Sequence, residues 1–144
     1  MKKFELTENF RMCCGRKLFQ IRALVTIKYV VEAGELGGYI EKEGNLSQFD
    51  NAWVSGNAQV FGNARVTGNS RVTENARVSG NARVTGNSLV TENARVSGNA
   101  FVTGNSLVTE NARVSGNAFL TGNSRVSGNE HVQGDALLFG DGSL

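Results

Sequence analysis

The sequence predicts an all-β fold, a left-handed parallel β-helix built as a triangular solenoid of about five coils with an N-terminal β-hairpin cap. Three observations predict it. An aliphatic residue stands at every sixth position from Val54 to Leu138, and it is Val throughout except at Leu120 and Leu138. A second period lies over the first: Glu replaces the usual Gly at Glu74, Glu92 and Glu110, and Ser replaces the usual Ala at Ser70, Ser88, Ser106 and Ser124, so both variants recur every eighteen residues. Finally, a six-residue step would smear the valines around a helix of 3.6 residues per turn, whereas on strands it returns to one face. Each six then supplies a short strand and a corner, three sixes close one coil, and coils stack about 4.8 Å apart.

Each column has a physical task. Val points inward, because β-branched side chains suit a pleated strand. The Ala or Ser four residues later is small because three faces converge there. Asn fills its column from Asn51 to Asn129, with Asp135 the exception; it is expected to take the left-handed corner conformation and to hydrogen-bond from coil to coil. The 18 Gly and the absence of Pro suit repeated corners joined by backbone that must keep its ladder donors.

The unit Val-Ser/Thr-Gly-Asn-Ala/Ser-x resembles the hexapeptide repeat of left-handed parallel β-helix proteins, best known from acyltransferases. Leu36-Gly37-Gly38-Tyr39-Ile40-Glu41, running into Asn-Ala-x-Val-x-Gly repeats, resembles a group of uncharacterised bacterial and prophage-encoded hexapeptide proteins that carry transferase labels. The resemblance implies the fold. Chemistry is built on a scaffold and not fixed by it.

Residues 1–44 are not repetitive and read as the β-rich cap, with residues 45–144 as the β-helix of one structural domain. Phe4 and Leu6, then Phe10 and Met12, alternate with polar neighbours, Lys17 to Ile27 is a second β-prone run, and Gly15 marks the turn between them. Such a hairpin covers the apolar end and unpaired edge of the first coil. The repeat register is expected to form from Glu41 onward, with Asn45 in the Asn column, Leu46 in the Ala column and the valine column starting at Val54.

The bland reading prevails at two eye-catching places. Cys13 and Cys14 are adjacent, but no Cys-x-x-Cys spacing or further ligands accompany them, so they are expected to be reduced thiols and no metal site is expected. The segment Ala33-Gly34-Glu35-Leu36-Gly37-Gly38-Tyr39 lacks the Gly-Lys-Ser/Thr ending of a phosphate loop and is expected to be a tight connection. A net charge of +2 argues against a dedicated nucleic-acid binder. The polar N-terminus and the lack of an eighteen-residue apolar run argue for a cytoplasmic protein without membrane contact.

Function is therefore sought in the outward positions, which sort into three faces modulo eighteen. One carries Trp53, Arg71, Leu89, Leu107 and Arg125; the second Gln59, Arg77, Arg95, Arg113 and His131; the third Arg65, Arg83, Phe101, Phe119 and Leu137. Arg77, Arg95 and Arg113 form a possible anion-binding column, although Glu74, Glu92 and Glu110 lie three residues earlier and are expected to pair with them. Phe101, Phe119 and Leu137, with Leu89 and Leu107, group apolar surface, which points to a partner, and homo-oligomerisation through a flat face is the preferred explanation. The leading expectation is a non-catalytic structural or interaction module without cofactor.

Two alternatives compete. Hexapeptide acyltransferases use a His base and a coenzyme A thioester, and His131 is the single His here, but the unbroken six-step leaves no inserted loop to shape a pocket. A surface-recognition protein binding ice or a polymer would use the ladders Thr67, Thr85, Thr103, Thr121 and Thr73, Thr91, Thr109, yet their outward neighbours are Arg, Leu or Phe instead of a second Thr.

Overall fold

The computed structural model describes residues 2–139. Phe4–Cys13 (β1) and Arg16–Ala23 (β2) form the expected antiparallel hairpin, turned by Cys14 and Gly15, both at positive φ. Leu36–Ile40 (β3) lies antiparallel to β2 on one side and parallel to the strand Gln59–Val60 on the other. This one strand therefore belongs to the hairpin sheet and to the solenoid at once. From Trp53 onward each coil contributes three two-residue strands separated by turns, ending at Leu137–Leu138.

The short strands stack into three parallel sheets, one per face. Arg95 pairs with Arg77 and Arg113, Leu89 with Leu107, and Phe119 with Phe101 and Leu137, so residues eighteen apart stack as the period requires. With the rung that begins at β3, about six coils are stacked instead of five. The inward valines and small residues form one continuous column of fully buried side chains from Ala52 to Val126.

The first coil departs from the eighteen-residue register. Ile40 pairs with Val60 and Leu46 bridges to Val66, in both cases twenty residues on. Leu46 thus sits in the inward aliphatic column and not the Ala column, and that column starts at Ile40 and not at Val54. The extra residues fall between Leu46 and Val54, where the chain bends around the head. Asn45 does not join the corner ladder either. It is fully buried, its Oδ1 accepting the amides of Glu41 and Lys42 and its Nδ2 donating to the carbonyls of Gly62 and Ala64. A buried amide with every partner supplied is a plug that satisfies a coil end.

The head covers what the columns alone would leave outside. Trp53 is 2% and Gln59 5% exposed, although their columns face outward, because the head packs over the first coil; Phe4 meets Trp53 edge-on with ring centroids 6.4 Å apart. Lys3 seals the same end, its Nζ donating to the carbonyls of Asp50 and Ala52. Gly37 and Gly38 are needed for this closeness: a Cβ on Gly37 would stand 2.6 Å from the Val54 carbonyl oxygen, and one on Gly38 2.9 Å from that of Ala58. Of the glycine-rich segment expected to be a tight connection, only Ala33 and Gly34 form a turn, and Leu36 to Tyr39 belong to strand β3.

The corners differ from expectation in one respect. The left-handed residue is the Gly, or Glu74, Glu92 and Glu110 at φ +57, +58 and +58, and not the Asn that follows. The Asn side chains do link coil to coil, in the runs Asn57–Asn75–Asn93–Asn111, Asn63–Asn81–Asn99–Asn117 and Asn69–Asn87–Asn105–Asn123.

Candidate functional site: three outward faces

The arginine face stacks Arg77, Arg95, Arg113 and His131 in register. The expected pairing with glutamates is not found: among the described residues the ion pairs are Lys2–Glu43, Lys3–Asp50, Arg16–Glu41 and Arg22–Glu5, all within the head and first coil. The reason is the direction of the glutamates. Glu74, Glu92 and Glu110 line the hollow over Leu89 and Leu107, on the preceding face, and Glu92 Oε2 accepts from Thr109 Oγ1 at 3.1 Å. The left-handed corner turns each carboxylate away from the arginine three residues later.

The hairpin turn reaches towards this face. Arg11 lies over the Tyr39 ring at 3.9 Å, and the Cys13 thiol feels both Arg77 and Arg95. Burial and the hydrogen bond shared with Cys14 outweigh those guanidiniums and push the Cys13 thiol up. Cys13 and Cys14 are free, with sulfurs 3.1 Å apart.

His131, the catalytic residue of the acyl-transfer alternative, is exposed, and its Nε2 lies 3.0 Å from Ser115 Oγ. That neighbour was not anticipated, but register would have found it: Ser115 follows Arg113, on which His131 stacks, by two residues along the same face. A Ser–His contact is half of a nucleophile–base arrangement. Among the described residues no hydrogen-bonded carboxylate completes it, and His131 does not line the hollow over Leu89 and Leu107.

The leucine face presents a shallow hollow with Leu89 and Leu107 as its apolar floor, Glu74, Glu92 and Glu110 along one wall, and Arg125 at the C-terminal end. Both leucines are half-buried. The phenylalanine face carries Arg65 and Arg83 on its lower rungs and an apolar column above them. Phe101 and Phe119 stack with centroids 5.1 Å apart and planes 13° from parallel, Phe119 is 38% exposed, and Leu137, the next rung, is 59% exposed. The five residues singled out as apolar surface thus occupy the two faces that their spacing assigns them.

The threonine ladders are real, with Thr67 Oγ1 donating to Thr85 and Thr73 Oγ1 to Thr91. The second ladder changes partner at its upper rung, where Thr109 Oγ1 donates to Glu92 Oε2. No cluster of His, Cys, Asp and Glu among the described residues is fit to hold a metal ion, and no helix is long and apolar enough to cross a membrane.

Comparison with known proteins supports the architecture. A family model described as a YdcK beta solenoid repeat matches residues 58–74, 76–92 and 94–110. The matches begin eighteen residues apart, one per coil, so the chain is similar to that repeat unit by unit and is a repeat β-solenoid protein. No curated protein matches the chain.

Proposed function

We propose that this protein is a non-catalytic structural module that self-associates through the flat apolar column Phe101, Phe119 and Leu137. The observation that carries the reading is the stacked phenylalanine pair, which continues into the exposed Leu137 on a regular face. Exposed apolar groups gathered in one column in this way point to a partner. Covering what is still exposed, 38% of Phe119 and 59% of Leu137 among it, is worth about 25 cal/mol per Å². The rigid solenoid supports the same reading, because a preformed face loses little conformational freedom on binding. A cytoplasmic setting, in which Cys13 and Cys14 remain thiols, belongs to the same proposal.

The test is the solution mass of wild type beside Phe101→Ser/Phe119→Ser by sedimentation or light scattering. Wild type is expected to be oligomeric at tens of micromolar and the double variant monomeric. A monomeric wild type, or an oligomer indifferent to both substitutions, refutes the reading. The acyltransferase alternative would displace it if the protein transferred an acyl group from a coenzyme A thioester to an amine or hydroxyl acceptor and lost that activity in His131→Ala.

A further inference from the structure

We propose that the surface receiving the Phe101–Phe119 column is the hollow over Leu89 and Leu107 on a second copy of this chain, so that the contact joins two different faces. The inference rests on the self-association reading above and names the partner surface.

The first argument is the match of rungs. Phe101 and Phe119 are neighbours in one parallel sheet, as Leu89 and Leu107 are in another, so both pairs are spaced by the same coil rise of about 4.8 Å. The phenylalanines form a stacked pair with planes 13° apart, of which Phe119 is 38% exposed, and the leucines floor a recess. A ridge and a recess of equal spacing interlock two rungs at a time. Phenylalanine against phenylalanine would instead leave the leucine hollow bare, and in solenoids running the same way it would oppose Arg83 to its own copy.

Charge gives the second argument and selects the direction. Arg83 lies one rung below Phe101, and Glu74 lies one coil below Glu92 on the wall of the hollow. With the solenoids running the same way, Phe101 seats over Leu89 and Phe119 over Leu107, which brings Arg83 to the rung of Arg71 and Glu74: one carboxylate for two guanidiniums. Running opposite ways, Phe101 seats over Leu107 and Arg83 meets the rung of Arg125, whose left-handed corner residue is Gly128 and whose carboxylate, Glu130, is already held by the Ser127 amide. The parallel arrangement is therefore favoured. Glu74, Glu92 and Glu110 take no ion-pair partner within the described chain, which leaves them for a second one.

Such a contact is heterologous: each chain offers its phenylalanine column to one neighbour and its leucine hollow to another, and assembly proceeds to a ring or a filament. Complementing variants test it. Phe101→Ser/Phe119→Ser and Leu89→Ser/Leu107→Ser are each expected to be monomeric alone. Mixed in equal amounts they are expected to form a complex of two chains, twice the 15.4 kDa of one, because one intact column and one intact hollow remain. A leucine variant that assembles like wild type, or a mixture that stays monomeric, overturns the inference and leaves self-association standing; a monomeric wild type removes both. Circular dichroism and melting establish that each variant is folded, and Leu89→Thr/Leu107→Thr, with β-branched side chains, replaces the serine pair if that one is not. Glu74→Lys, which leaves three cations on that rung, is expected to weaken assembly and Arg83→Glu in the same chain to restore it; no effect of Glu74→Lys overturns the parallel direction.

Discussion

Gly104 shows why one corner position is held by so few residue types. Its φ is +70, and a Cβ built there would stand 2.6 Å from the Gly122 amide nitrogen and 2.7 Å from its carbonyl oxygen, because corners of successive coils lie directly above one another. Gly128 has a similar φ, but a Cβ there would meet nothing within 4 Å. Gly104→Ala therefore incurs the left-handed strain of about 1–2 kcal/mol and an overpacking term of about 1–3 kcal/mol, whereas Gly128→Ala incurs the strain alone. Thermal melts of the two variants should separate by several degrees, with Gly104→Ala the lower; equal melting would show that the coils relax freely at their corners. Glu74, Glu92 and Glu110 accept this same conformation without being glycine. The eighteen-residue spacing of these glutamates was legible in the sequence. Their direction was not: sequence separation placed them beside Arg77, Arg95 and Arg113, but a left-handed backbone turns the side chain back over the preceding face, and that depends on which residue of the corner takes positive φ.

Within single elements, what could be read ahead followed how much each segment repeats. The three faces emerged as predicted from Trp53 to Leu137, since each position is confirmed by copies eighteen residues away. Between Ile40 and Val54 no copy exists to check against, and the two additional residues moved Leu46 into the inward column and Asn45 into the interior. Lys3 escaped notice for a related reason, as a charged residue near a terminus gives no pattern. Its Nζ donates to Asp50 O at 2.9 Å and Ala52 O at 2.6 Å, with Asp50 Oδ1 3.5 Å away. Burial pulls its pKa below the usual lysine range against the opposing pull of Asp50. Lys3→Met keeps the aliphatic stem but strips two coil-end carbonyls of their donor, at about 1–3 kcal/mol each. The melting temperature is expected to fall by on the order of 5–10 °C. An unchanged melt would mean that the hairpin, without this ammonium, suffices to close the first coil.

The molecule as a whole is an array in which every coil is stabilised by its neighbours, so its two ends decide where it opens. The ends are built differently. At the N-terminal end Phe4 covers Trp53, Lys3 and Asn45 donate to open carbonyls, and β2 and β3 continue the arginine-face sheet. At the other end the strands Arg125–Val126, His131–Val132 and Leu137–Leu138 are, among the described residues, the last in their sheets, and none of those residues stacks on Gly128 or Gly134 as Gly122 stacks on Gly104. Coils with a neighbour on one side only lose half of their stacking partners, and the inward Leu138 is already partly exposed. Amide exchange followed by mass spectrometry should therefore be slowest in peptides spanning Val60 to Val96 and fastest in those spanning Arg125 to Phe139, while peptides of the first coil remain slow. Fast exchange around Leu46 and Val54, matching that at Val132, would show that the head rests on the solenoid without sealing it. Heterologous side-by-side assembly adds a second expectation to the same measurement: raising the protein concentration should slow exchange at Leu89, Phe101, Leu107 and Phe119 and leave the arginine face unchanged, because coils protected laterally are still open from above.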